Sequence, residues 1–454
     1  MEIRKNDTFT IDITGMTHEG QGVGRIENFT VFVDGAVEGE TADIRIIKIT
    51  KSYAAGKLIR LVKTAPARTR PFCGVYGRCG GCSLQHIDYE AQLKFKTGVV
   101  REAVKRIGKL EDVVVHETIG MSRALNYRNK AQFPVGFSGD APVIGFYASR
   151  SHSIINSDIC GIQDEKSDRI REVVRKFLID NSVSVYDEVT GKGLVRHVMT
   201  RTGFKTGEVM VVVVINGSSL PSGQQLVDSL CREVPDIRSI ILNINTKNTN
   251  VVLGERNKVL YGNDTITDYI GKFKFEISPL SFFQVNPVQT EVLYGKALEY
   301  AQLSGSETVF DLYCGIGTIA LFLSEKSKKV YGVEVVEDAV RDAKRNARIN
   351  NVENAEFIAG EAEVVVPGIY RQGVRADVVV VDPPRKGCDE RLLETLVKMD
   401  PSRILYVSCN PSTLARDLNY LAANGYRAVE IQPVDMFPHT GHVETVVRLD
   451  RKHS

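Results

Sequence analysis

The stretch TVFDLYCGIGT, residues 308–318, decides the architecture of the C-terminal half of the chain. Its apolar start reads as a short buried strand, its two glycines as a tight turn, and the apolar run from Ile319 as the helix that follows. Such a unit opens a doubly wound α/β sheet. The glycines let the backbone come close to a ligand. A second strand at 330–333 ends on Glu334, about twenty residues further on, where nucleotide-binding sheets place an acid for two ribose hydroxyls. A GxG turn alone also fits a dinucleotide, and Ala320 at the third-glycine position does not exclude one.

Downstream the alternation continues. Strands are predicted at 355–359, 377–381 and 404–407, with helices at 319–324, 338–350, 390–398 and 412–423. Strands at 427–433 and 442–449 close the chain with no helix between them, so the last is predicted antiparallel to the rest. Two strand ends carry reactive groups. One is Asp382-Pro383-Pro384-Arg385-Lys386-Gly387, a carboxylate locked by two prolines. The other is Ser408-Cys409-Asn410-Pro411, where Pro411 starts the next helix. Cys409 thereby falls on the carboxyl edge, where open sheets bind ligands. A lone cysteine after a strand is more often a core residue. Its company, Asp382 and the 315–317 turn, reverses that balance.

Upstream, Cys73, Cys79 and Cys82 form a C-x5-C-x2-C pattern on a glycine-rich loop, with Cys160 further on in SDICGIQ. Four thiolates hold tetrahedral zinc or an iron–sulfur cluster. One knuckle, one outlier and one distant cysteine depart from the paired knuckles of zinc ribbons and fit a cubane better. Residues 89–110 have helical periodicity. Between 111 and about 275, strands are predicted at 143–148, 209–215, 239–244 and 251–252, and helices at 167–180 and 223–233. Two polar clusters, 126–130 (NYRNK) and 196–201 (RHVMTR), combine aromatic or His faces with guanidinium groups and are expected to contact RNA. Residues 1–64 show alternating apolar stretches at 8–13, 30–33, 42–49 and 57–62, separated by glycine-rich turns, and suggest an OB-like barrel. The GQGVG at 20–24 lacks a strand–turn–helix context and is no dinucleotide fingerprint. The pattern around it resembles the TRAM domain of RNA-modifying enzymes.

Bulk properties bound the rest. A chain of 454 residues is long for one core. Its 43% hydrophobic and 25% charged residues are those of a soluble globular protein. No apolar run approaches the ~20 residues that cross a bilayer, and the N-terminus lacks a signal-peptide core, so a cytoplasmic protein with no membrane contact is expected. Net charge is only +2, yet nine Lys or Arg and no acid lie between Arg45 and Ile87. A polyanion suits such a surface. Eight cysteines in a reducing compartment point to metal or catalysis rather than disulfides.

The DPPRKG, SCNP and FPHTGHVETV motifs at 382–387, 408–411 and 437–446 together resemble the RNA 5-methyluridine methyltransferase family, in particular its 23S ribosomal RNA (uracil-5-)-methyltransferases. The resemblance covers the whole chain. It implies a multidomain α/β protein: a TRAM (OB-like β-barrel) RNA-binding domain at 1–64, a central α+β iron–sulfur domain at 65–279, and a Rossmann-like class I S-adenosylmethionine-dependent methyltransferase domain at 280–454. It assigns Cys73, Cys79, Cys82 and Cys160 to a 4Fe–4S cluster, Cys409 as nucleophile and Glu444 as general base. Gln284, Tyr313, Glu334 and Asp382 would bind S-adenosyl-L-methionine. Phe283 and Pro383 would wall a flipped uracil, and Arg385 and Lys386 would hold phosphate. Cys314 and Cys388 are expected in packing or loops. A monomer acting on 23S ribosomal RNA is expected. The alternatives are a tRNA substrate, or an RNA-binding ribosome assembly factor with no turnover. Radical chemistry is disfavoured because the C-x3-C-x2-C pattern is absent.

Overall fold

Alternating apolar residues close the N-terminal strands into a barrel. The computed structural model describes residues 3–139 and 141–452. Strands β1 (Thr8–Met16), β2 (Gly22–Ile26), β3 (Phe29–Asp34), β4 (Thr41–Ile49) and β5 (Tyr53–Lys63) close in the order β1-β2-β3-β5-β4. Ile11, Ile13, Val31, Val33, Ile44 and Ile46 fill its centre. The sequence reading missed β2, which lies in the glycine stretch. A Cβ on Gly22 would stand 2.9 Å from the Ala36 backbone oxygen, and one on Gly24 2.7 Å from the Asp12 oxygen. Close packing of strands therefore requires these glycines. Of the nine cations, Arg60 pairs with Asp43 and Arg68 with buried Glu40. Arg45, Lys48, Lys57 and Lys63 stay exposed on β4 and β5.

The next elements are α1 (Tyr89–Arg106), β6 (Val114–Val115), β7 (Lys130–Ser138), β8 (Ala141–Tyr147), β9 (Ile154–Asn156), α2 (Glu165–Asp180), β10 (Val195–Thr202), β11 (Val209–Ile215), α3 (Gly223–Glu233), β12 (Ile237–Ile244) and β13 (Arg256–Gly262). Seven of the strands form one sheet in the order β13-β12-β11-β10-β7-β8-β9. No strand exists at 251–252; the edge strand is β13. The expected RNA contact at 196–201 is corrected by burial, since every residue of β10 is buried. Arg196 donates to the Asn245 and Lys247 carbonyls and Arg201 to those of Pro279 and Ser281. Carbonyl acceptors make these cations tolerable inside. In the 126–130 cluster, Tyr127 and Asn129 are likewise buried.

A hairpin, β14 (Ile266–Ile270) and β15 (Phe273–Ile277), leads into α4 (Pro287–Ala301), which the periodicity reading missed. Then follow β16 (Thr308–Leu312), α5 (Thr318–Ser324), β17 (Lys329–Glu334), α6 (Glu337–Ile349), β18 (Ala355–Ala359), α7 (Ala362–Arg371), β19 (Val378–Val381), α8 (Glu390–Met399), β20 (Arg403–Ser408), α9 (Pro411–Ala423), β21 (Tyr426–Val434) and β22 (Glu444–Arg451). Helix α7 was also missed; Pro367 and Gly368 inside it blur its signal. The eight-stranded order is β18-β17-β16-β19-β20-β22-β21-β6, and β22 runs antiparallel to both neighbours, as predicted. Strands β19 and β20 are apolar on both faces because helices cover them on either side.

The residues read as one central unit do not all stay with it. β6 extends the eight-stranded sheet and α1 packs beside α9, with Val100 and Val104 in that core. Met199, Val212 and Ile241 of the central sheet share another core with Val309, Val378 and Leu405. Among the described residues, no helix is long and apolar enough to cross a membrane. A fully buried ion pair pins α1 to the loop after β21: Lys96 Nζ lies 2.5 Å from Asp435 Oδ1. Breaking a buried pair leaves one charge uncompensated. Lys96→Met is therefore expected to destabilise the fold by about 3–5 kcal/mol, read by denaturant unfolding.

Candidate active site

Sheet topology brings the site together. Strand order reverses between β16 and β19, which opens a crevice at the carboxyl ends of the parallel strands. A cavity of 1210 Å³ occupies it. Gln284, Tyr313, Glu334, Asp382, Cys409 and Glu444 all line this cavity. The volume exceeds the usual range for one small ligand, which leaves room for a second.

Each side chain has a local reason to be there. Tyr313 follows β16 with a left-handed backbone, φ 67°, and its N–H and that of Cys314 bond to the Val333 carbonyl. Gly315 lines the cavity, and nothing stands within 4 Å of the place its Cβ would take. At Gly317 a Cβ would meet the Phe357 ring at 2.9 Å, so that glycine serves packing. Glu334 ends β17 and accepts from the Gly315 N–H at 3.1 Å and the Val336 N–H at 2.9 Å. A carboxylate has about four lone-pair sites, so capacity remains for hydroxyl donors. Gln284 is held by its backbone carbonyl, which accepts from the Asn129 amide at 3.0 Å.

Cys409 is the first residue past β20. Asn410 caps α9 by accepting from the Ser412 N–H, and Pro411 takes the first helical turn. Because β22 is antiparallel, its first residue reaches the same edge at which β20 ends. Ser408 pairs with Thr445 across the strands, so Glu444 stands beside Cys409.

The electrostatics are those of a shielded acid cluster. Burial pushes the Glu444 carboxyl well above its usual range, with Asp382 adding to the shift and Arg385 opposing it. Asp382 lines the cavity half-buried, and desolvation there raises it to about 7. Burial, then Glu444 and Asp382, push the Cys409 thiol up to about 11, again with Arg385 opposing. Arg385 thus faces the thiol and the acid, not the expected phosphate role alone.

Other expectations change. Phe283 is 2% exposed and packs in the core near Phe275, so it walls no base. Its neighbour Phe282, 68% exposed, lines the cavity with Pro383, Phe437, His442 and Tyr294. In a Phe-Phe pair no sequence period tells which ring turns inward. Cys314 and Cys388 are buried, as expected.

Cys73, Cys79, Cys82 and Cys160 surround a separate cavity of 280 Å³, shared with Arg128, Lys130 and Gln132. Among the described residues, no three Cys, His, Asp or Glu side chains stand close enough to ligate one metal ion. Burial raises the Cys82 thiol to about 12, with the other three cysteines adding to the shift.

Residues 4–59 match the TRAM domain model, and residues 242–452 match that of the tRNA (Uracil-5-)-methyltransferases. A protein of Clostridium tetani named as an RNA methyltransferase is 53% identical over 98% of this chain and 96% of its own length. One from Caldanaerobacter subterraneus subsp. tengcongensis is 50% identical over 99% of both. The structure of the Pyrococcus abyssi tRNA (uracil-54, C5)-methyltransferase, a complex with S-adenosyl-L-homocysteine, superposes with a TM-score of 0.77 at 30% identity, covering 97% of this chain and 100% of that one. The chain belongs to the TRAM-containing family of RNA uracil-5-methyltransferases.

Proposed function

We propose that this chain methylates C5 of uridine in 23S ribosomal RNA with S-adenosyl-L-methionine as donor. The observation that carries the reading is the meeting of Cys409, Glu444 and Asp382 with Gln284, Tyr313 and Glu334 on one cavity. C5 of uracil is too weak a nucleophile to take a methyl group unaided. The Cys409 thiolate adds to C6, and the S–C6 bond leaves electron density on C5. S-adenosyl-L-methionine, when bound, supplies the methyl group from its sulfonium. Glu444 then takes the C5 proton, the C5–C6 double bond re-forms and the thiolate leaves. Glu334 would hold the ribose hydroxyls, and Tyr313, Gln284 and Asp382 would hold the rest of the donor, Asp382 offering a carboxylate to its positive charge. Phe282 and Pro383 flank the extruded base. The exposed cations of β4 and β5 suit a structured RNA, and the resemblance of barrel and four-cysteine set to the ribosomal RNA enzymes is what points to ribosomal RNA. The tRNA substrate named for the Pyrococcus abyssi relative makes tRNA the second reading.

We also propose a 4Fe–4S cluster on Cys73, Cys79, Cys82 and Cys160. The four thiols line one cavity of 280 Å³, and four thiolates are the ligand set of such a cluster. Arg128 and Lys130 on the same wall suit the negative charge of a four-thiolate centre.

Mapping 5-methyluridine in RNA from a deletion strain tests the substrate. Loss from 23S ribosomal RNA is expected, and loss from tRNA alone would overturn that assignment. With purified enzyme, Cys409→Ala should abolish turnover while RNA still binds in a gel-shift assay. Glu444→Gln should trap an RNA–protein adduct as a slower band in a denaturing gel. Burial pushes the Cys409 thiol up to about 11 and the Glu444 carboxyl well above its usual range, so both ionise less readily than free groups. Turnover is therefore expected to rise with pH below about 11, about tenfold per unit, as the Cys409 thiolate fraction grows. Protein purified without air should contain iron and sulfide in equal amounts, and zinc in their place would refute the cluster.

A further inference from the structure

The loop at 435–443 carries Phe437 and His442 into the reaction cavity and ends at Glu444. Each carbonyl from 435 to 439 receives a donor from outside this loop. The Gln289 amide donates to the Asp435 carbonyl, and the Asn286 amide to that of Met436. Lys96 Nζ donates to Phe437, and the Tyr127 hydroxyl to Pro438. The His439 carbonyl takes the backbone N–H groups of Ser83 and Leu84, both at 3.0 Å, just after Cys82. The last tie thus joins the active-site loop to the cysteine loop.

His439 also makes this joint through its side chain. It is 8% exposed with a left-handed backbone, φ 66°. Its Nε2 lies 3.0 Å from the Ala124 carbonyl, the geometry of a donor, while Nδ1 lies 3.3 Å from the Gln92 amide, which donates to it. The Phe72 ring meets the imidazole edge-on, centroids 5.0 Å apart. Phe72 precedes Cys73. A Cβ on Gly161, next to Cys160, would stand 2.7 Å from the same ring. Phe72 therefore rests between both ends of the cysteine set and the loop that lines the reaction cavity.

We propose that the Phe72–His439 contact makes the four-cysteine loop a positioning element for methyl transfer: the seat of that loop sets where Phe437 and His442 stand against the substrate. Neither residue touches the reacting atoms. The inference rests on the uridine-methylation reading but not on which group the cysteines hold. A displacement on the order of 1 Å in a wall that orients substrate costs up to about a hundredfold in rate.

The test uses Phe72→Ala, Phe72→Leu and His439→Asn in the full-length protein. Asn tolerates the left-handed backbone better than other replacements. Phe72 is 46% exposed, so its truncation should leave the fold intact. With unmodified ribosomal RNA transcripts, Phe72→Ala and His439→Asn are expected to lower kcat about tenfold or more. KM for RNA, the Kd for S-adenosyl-L-homocysteine, iron content and unfolding midpoint should match wild type, and Phe72→Leu should restore most of kcat. Unchanged kcat in both variants would overturn the proposal, as would a loss that tracks iron content or unfolding midpoint. Wild-type protein inactive on every RNA offered would instead defeat the uridine-methylation reading, so the two failures are distinguishable.

Discussion

The antiparallel pairing of β22 against β20 is the constraint on which the site depends. Parallel strands all deliver their carboxyl ends to one edge, so Tyr313, Glu334, Asp382 and Cys409 arrive there by topology. A residue at the start of a further parallel strand would lie at the opposite edge. Reversal of β22 brings its first residue, Glu444, to that same edge, and the Ser408–Thr445 register sets it beside Cys409. The Thr445 hydroxyl donates to the Ser408 carbonyl at 3.2 Å and ties the pair further. A slip of one residue would turn Glu444 to the other face of the sheet.

Proximity of these groups in a dry crevice decides their protonation. Three carboxyl groups, Asp311, Asp382 and Glu444, share the region, and Asp382 raises both of the others. The same charges disfavour a thiolate at Cys409, while Arg385 favours it. Burial and these neighbours therefore work against ionisation of both nucleophile and base in the free site. An acid-lined crevice also favours a cationic donor over an anionic one.

The rest of the chain works as a clamp around this edge. Helix α1 and β6, far earlier in sequence, are built into the C-terminal sheet, and the Lys96–Asp435 pair locks them to the loop at 435–443. Burying such a pair is costly unless its other bonds are met. Here the Tyr89 hydroxyl donates to Asp435, and Lys96 also donates to the Phe437 carbonyl. The result is a loop whose carbonyls from 435 to 439 all receive donors from outside it.

Local pattern carried much of this. Continuous apolar runs marked β11, β16 and β18 to the residue; strand ends pointed to Glu334, Asp382 and Cys409, and the family resemblance to Gln284, Tyr313 and Glu444, all of which line the cavity. The 196–201 cluster misled because charge in a sequence signals exposure only when no acceptor lies inside, whereas Asn126, Arg128 and Lys130 of the other cluster stay partly exposed. Arg196 and Arg201 found carbonyls from residues far along the chain, which no local window can show. Phe282 and Phe283 exchanged roles for a similar reason, since the turn before α4 decides which ring faces the core. The sequence by itself determined where most of the candidate groups stand, because strand ends and turns are local features. Only the tertiary structure decided their protonation, the inward turn of Phe283 and the joint between the cysteine loop and the active-site loop. Those depend on burial and on contacts between residues hundreds of positions apart.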